Sequence, residues 1–163
     1  MHRQTGLAPI FDCDARLLIL GSFPGKASLA AQAYYAHPRN QFWPILSDSL
    51  RRPLCDASPA VRAGILIEQR IALWDVIERC HREGSLDSAI RDAKTNPLRA
   101  LIDRLPLLER VLFNGRAAAT AGRRIVEAAG IAYLILPSTS PANASISYSD
   151  KLALWRAALE PSA

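Results

Sequence analysis

Residues 16–46, RLLILGSFPGKASLAAQAYYAHPRNQFWPIL, decide how the rest of the chain is read. The stretch opens with four apolar residues, Leu17-Leu18-Ile19-Leu20, and breaks at Gly21-Ser22-Phe23-Pro24-Gly25. An apolar run that stops at glycine and proline predicts a buried strand over 16–20 and then a tight turn. Glycines on either side of a proline let the backbone approach a ligand closely. In an open α/β sheet, ligands lie outside the carboxyl ends of the strands, where this turn falls. Behind it comes a polar-aromatic cluster of Tyr34, Tyr35, His37, Pro38, Arg39, Asn40, Phe42 and Trp43. The expectation is a pocket built around this loop.

Working outward, residues 1–15 read as a loose lead-in. Ala30, Ala31 and Ala33 favour a helix over 28–35, which His37-Pro38 interrupts. Trp43, Leu46 and Leu50 share one helical face. Ser58-Pro59 is a cap followed by proline at the first helical position, opening a helix to about residue 69. Residues 71–77, IALWDVI, form a second buried strand with Asp75 near its end. Gly84-Ser85-Leu86-Asp87 is a turn with a short helical patch after it. Asn96-Pro97 repeats the cap-plus-proline signal before Leu98, Leu101, Ile102 and Leu105. Val111-Leu112-Phe113 is a third strand closed by Asn114-Gly115, and the helix after it stops at Gly130. Residues 132–136 are a fourth strand, followed by an irregular loop from Pro137 to Asn143. Leu152, Trp155 and Leu159 close the chain as a helix capped by Ser149 or Asp150. Strands alternating with helices imply a parallel sheet covered on both faces.

The 163 residues suit one domain, 1–163, with a full core. Half are hydrophobic and 21% are charged, an ordinary globular composition. Lys+Arg of 20 against Asp+Glu of 15 gives +5, which favours an anionic partner such as nucleic acid. Cys13, Cys55 and Cys80 form no C-x-x-C pair, so zinc and iron–sulfur sites have no support, and a reduced, cytoplasmic setting is expected. No signal-peptide pattern or membrane-length apolar run is present. Neither phosphate-loop pattern fits residues 21–25, and G-x-S-x-G is absent because Ser22 directly follows Gly21.

Among residues able to carry chemistry, Asn40 is a helix cap or a catalytic amide. Phe42 and Trp43 are core or a stacking surface. Asp75 is a cap or a ligand contact, since its neighbours Trp74 and Val76 alternate to the other face. The uncharged loop of Ser138, Thr139, Ser140, Pro141, Ala142 and Asn143 is a plain turn or a phosphate-backbone contact.

Taken together, GSFPG after strand one, YYAHPRNQFW behind it, LWDVI, FNG and LPSTSPANA resemble the uracil-DNA glycosylase superfamily, most of all its hypoxanthine-DNA glycosylase branch. The resemblance runs from about Arg16 to Trp155. It implies a three-layer α/β/α fold around a four-stranded parallel sheet. It further implies a monofunctional DNA repair glycosylase that hydrolyses the N-glycosidic bond of a deaminated base, hypoxanthine favoured, and leaves an abasic site. The implied partner is DNA carrying such a base, with no cofactor, metal or membrane, and the enzyme is expected to be a monomer. Two positions depart from the family pattern. The first loop has Ser22 and Phe23 where most members carry Asp or Asn, and Leu136 stands near the place of a family histidine. The resemblance therefore carries the catalytic role onto Asn40. It also implies a base pocket of Gly21, Ser22, Phe23, Pro24, Phe42 and Asp75, with Ser138, Thr139, Ser140, Pro141, Ala142 and Asn143 on the DNA. The alternatives are a glycosylase acting mainly on uracil and a damaged-DNA-binding module without turnover.

Overall fold

The structure, a computed structural model, describes residues 2–161. Its centre is a parallel sheet of β2 (Leu17–Gly21), β3 (Ile71–Asp75), β6 (Arg110–Asn114) and β7 (Ala132–Leu136), in the order β3-β2-β6-β7. All three pairings are parallel. Successive strand residues point to opposite faces, so each buried strand feeds two cores. Leu17 and Ile19 join Leu73, Leu112, Phe42, Leu46, Leu66 and Trp155 on one side. That side is covered by α2 (Phe42–Leu50), α3 (Pro59–Glu68) and α6 (Tyr148–Leu159). Leu18 and Leu20 join Ala72, Phe113, Leu101, Ala118 and Val126 on the other. There α4 (Leu98–Ile102) and α5 (Arg116–Ala128) lie on the sheet. Gly122 lets α5 come this close, because a Cβ on it would stand 2.8 Å from Val76 Cγ2. This is the expected three-layer arrangement.

Beside it lies a second, antiparallel sheet, β1 (Arg3–Thr5), β4 (Ile77–His81) and β5 (Arg91–Thr95), in the order β1-β4-β5. The lead-in is therefore ordered: β1 pairs with β4, and Ile10 bridges to Leu73. The run 71–77 is divided rather than one strand. It leaves the main sheet after Asp75, and Asn96 holds the point of departure by donating from Nδ2 to Asp75 O at 2.8 Å. Asn96 thus spends its side chain on this turn and does not cap α4. Other boundaries shift for local reasons. The first helix, α1, covers only Lys26–Ala31, because Gln32 and Tyr35 take left-handed φ of 50° and 51°. Ser58 caps α3 through Val61 N, as its sequence signal implies. The cap of α6 is Ser147, whose hydroxyl accepts from Asp150 N, so Ser149 and Asp150 lie inside the helix. A short 3₁₀ turn at Asp87–Ala89 joins β4 to β5. Among the described residues no helix is long and apolar enough to cross a membrane.

Candidate active site

The carboxyl ends of β2, β3 and β6 open into one cleft of about 400 Å³. Gly21 to Gly25 form its floor, Asn40 and Tyr35 one wall, Ser85 to Ser88 a second, and residues 138–143 a third. Each wall is fastened. Ser22 Oγ donates to Asp87 Oδ1 at 2.6 Å, and Lys26 N donates to Ser85 Oγ at 3.0 Å, tying the floor to the 85–88 wall. Asn114 exchanges two hydrogen bonds with Thr139, from Nδ2 to Oγ1 and from Thr139 N to Oδ1, both 3.0 Å. Gln41 N donates to Thr139 O, and the buried Lys151 donates from Nζ to Gln41 Oε1 at 2.9 Å and to Asn143 O at 2.7 Å. The loop after β7 and the element carrying Asn40 are therefore held as one unit.

Asp75 lines the cleft from the end of β3. It is 4% exposed, and its Oδ2 is buried with no hydrogen-bond partner among the described residues. Burial, and next the Asp87 carboxylate, push its pKa up to about 7, with the Arg82 guanidinium pulling the other way. Tyr35 Oη is likewise buried without a partner. Both groups crowd Gly21: a Cβ there would collide with Asp75 Oδ1 and stand 2.7 Å from Tyr35 Oη. Arg82, itself buried, donates to Pro24 O and lies 5.1 Å from the centre of the Phe23 ring, so it props the floor from below.

Asn40 lies on the wall of the cleft, and its Oδ1 accepts from Phe42 N at 2.9 Å. The residue is thus a helix-terminal acceptor and a cleft residue together. Gly21, Ser22, Phe23, Pro24 and Asp75 meet in the cleft with it. Phe42 does not. It is fully buried, stacked under Tyr35 with ring centroids 4.0 Å apart, so its face is unreachable for a base. The physical reason is position: as the first residue of α2 it points into the core, and Tyr35 covers it. In the 138–143 loop, all six residues from Ser138 to Asn143 border the cleft, Thr139 with its side chain buried on Asn114. Asn143 uses Nδ2 on Ser138 O and Oδ1 on Ser145 Oγ.

The reading from sequence missed Tyr35, Leu86, Asp87 and Lys151 in and behind the walls. Tyr35 carried a signal, since it stands inside YYAHPRNQFW. Lys151 carried none. Among the described residues no group of three or more His, Cys, Asp or Glu is placed to hold a metal ion.

A family model described as the uracil DNA glycosylase superfamily matches residues 8–160. The chain belongs to this superfamily. Among the superfamily's proteins, the hypoxanthine DNA glycosylase of Methanosarcina barkeri is 37% identical over 141 residues, 86% of this chain and 89% of that one. The protein of the same name from Methanosarcina acetivorans is 35% identical over 140 residues, 86% and 88% of the two chains. A solution NMR structure of a candidate uracil DNA glycosylase from Methanosarcina acetivorans superposes with a TM-score of 0.87 at 33% identity, covering 97% of each chain.

Proposed function

We propose that this DNA glycosylase removes hypoxanthine from DNA. The observation that carries the choice of base is the Asp75 carboxylate, which lines the cleft, buried and with one oxygen unpaired. A base inside a duplex stack is out of reach, so the nucleotide swings out, at a cost of about a few kcal/mol that is least for a mismatched or damaged base. Ionised Asp75 accepts from hypoxanthine N1–H. Adenine presents a lone pair there, which would leave the carboxylate unpaired and repelled. The names of the curated relatives support the same base.

In the reaction, the bond between C1′ and the purine N9 breaks and its electron pair leaves with the base. Water adds at C1′ of the oxocarbenium-like sugar, and its lost proton ends on the departing purine or in solvent. Asn40 serves as a donor. Its Oδ1 is taken by the Phe42 amide, so the group it offers is the NH2, which stabilises charge growing on the leaving base or holds the water oxygen. An amide takes no proton, so Asn40 is not a general base. Phe23, on the floor, supplies the ring against the base. Ser138 and Ser140 hold phosphates, and the exposed Pro141 and Ala142 fill the space that the base vacates.

Uracil N3–H would satisfy Asp75 as well, so the test carries both bases. Duplexes with one deoxyinosine, uracil or xanthine are incubated with the protein and then cleaved at abasic sites with alkali. Breaks at inosine faster than at uracil support the reading. Breaks mainly at uracil replace it, and gel shifts with no breaks at any base reduce the chain to a binding module.

A further inference from the structure

Among the described residues, two buried polar atoms of the cleft-lining side chains have no hydrogen-bond partner, Asp75 Oδ2 and Tyr35 Oη. Leaving such atoms unpaired is costly, and they are few in native proteins. Both side chains line the cleft and converge on Gly21, whose missing side chain lets them come this close to the strand and to each other. They differ in kind. A carboxylate only accepts. The Tyr35 phenol is kept neutral by burial and by the Asp75 charge, so its O–H stays available as a donor. The Asn114 amide lies near this oxygen but donates from Nδ2 to Thr139 Oγ1, so the phenol O–H is left without an acceptor among the described residues.

We propose that Tyr35 is a base-reading residue: its hydroxyl donates to a ring carbonyl of the flipped base while Asp75 accepts from the adjacent ring N–H. The inference rests on the base-excision reading above and names the chemical class the cleft takes. That class is the lactam edge, N–H beside C=O. Hypoxanthine and xanthine present it at N1 and C6, and uracil at N3 and C4. Adenine and cytosine present the reverse, a lone pair beside an amino group, and meet like against like at both positions. Guanine and thymine share the edge, and their Watson–Crick pairing makes them costlier to flip than a mispaired base. One arm alone, Asp75, rejects a wrong ring nitrogen. The second arm rejects a wrong exocyclic group.

Tyr35→Phe tests this without disturbing the fold, because the ring that stacks on Phe42 at 4.0 Å remains. Affinity is measured for a duplex with 2′-fluoro-2′-deoxyinosine, in which the fluorine blocks base release, and for the undamaged duplex, alongside thermal melting. Expected for Tyr35→Phe is a Kd about tenfold weaker for the inosine duplex, roughly the worth of one hydrogen bond. The undamaged duplex should bind as before, and the melting temperature should hold or rise because a buried unpaired hydroxyl has gone. An unchanged ratio of the two affinities overturns the assignment. So does a marked fall in melting temperature, which would make the hydroxyl structural. Failure of the parent protein to release any base from inosine or uracil duplexes is a separate result and overturns the base-excision reading itself.

Discussion

Asn40 has a structural use and a chemical one, and two substitutions separate them. Asn40→Ala loses the Oδ1 acceptor at Phe42 N, one hydrogen bond just ahead of the Gln41 N-cap worth about 0.5–1.5 kcal/mol, together with the NH2. Asn40→Asp keeps an acceptor and adds negative charge at a helix N-terminus, which is favourable, but it has no NH2. Both variants are expected to slow base release on the order of a hundredfold in single-turnover assays, the usual loss for one oriented donor. Asn40→Asp should melt no lower than the parent, and Asn40→Ala should bind duplex DNA like the parent. Parent-like release in either variant returns Asn40 to capping alone. Asp75 yields a pH prediction. Its carboxyl binds a proton more tightly folded than unfolded, with a folded pKa of about 7. The effect on stability is absent at low pH, grows more unfavourable as pH rises from the ordinary carboxylate range to about 7, and is complete above it. Asp87 and Arg82 are the charged groups acting on it, in opposite directions. The urea midpoint of Asp75→Asn should therefore gain on that of the parent between pH 4 and 8. Hypoxanthine release by the parent should rise through about pH 7 as the accepting carboxylate forms, a step missing in Asp75→Asn. Parallel stability curves would place Asp75 in contact with solvent.

Among the elements, α6 and the loop after β7 matter most for the cleft. Lys151 on α6 is 1% exposed, and its two side-chain hydrogen bonds go to Asn143 in the cleft wall and to Gln41 beside Asn40. Its charge costs desolvation, and burial lowers its pKa. Lys151→Met keeps the stem and removes the charge, which offsets part of the loss. Two acceptors then lack a donor, at about 1–3 kcal/mol each, so a net fall in stability is expected. The functional readout is sharper. Residues 138–143 should lose their fixed height above the cleft, so base release from duplexes should slow more than release from single strands, where no gap needs filling. Equal slowing on both substrates would show that the tether serves stability only.

At the scale of the whole molecule, a net charge of +5 puts an electrostatic term into DNA binding. Neutralising each phosphate contributes a slope of about −0.9 to log K against log salt. Arg39 is exposed beside Asn40, and Lys26 is exposed on the cleft. Arg39→Ala should weaken binding to all duplexes alike and make the slope shallower by about one, with no change in base preference. A slope that does not move places Arg39 away from the phosphates.

The sequence by itself determined the central sheet and its loops. Leu17–Gly21, Arg110–Asn114 and Ala132–Leu136 are short apolar runs punctuated by glycine, proline or asparagine, which are local signals; Ile71–Asp75 is equally apolar but no such residue marks its end, so its run reads on to Ile77. The second sheet was not legible. All five residues of β5 are exposed, and in β4 only Ile77 and Cys80 are buried, so neither strand has the alternation that marks a half-buried strand. Direction of side chains was decided only by tertiary packing. Phe42 and Tyr35 are neighbours in one aromatic cluster, yet the first is sealed under the second. Lys151 reaches Gln41 across 110 positions of sequence, and Asn114 reaches Thr139 across 25. Asp75 and Tyr35 meet at Gly21 because β3 pairs with β2 in a register that sets Asp75 opposite that glycine. Periodicity specifies which face of an element is apolar; which polar atoms then lie together, and which are left unpaired, depends on contacts between distant parts of the chain.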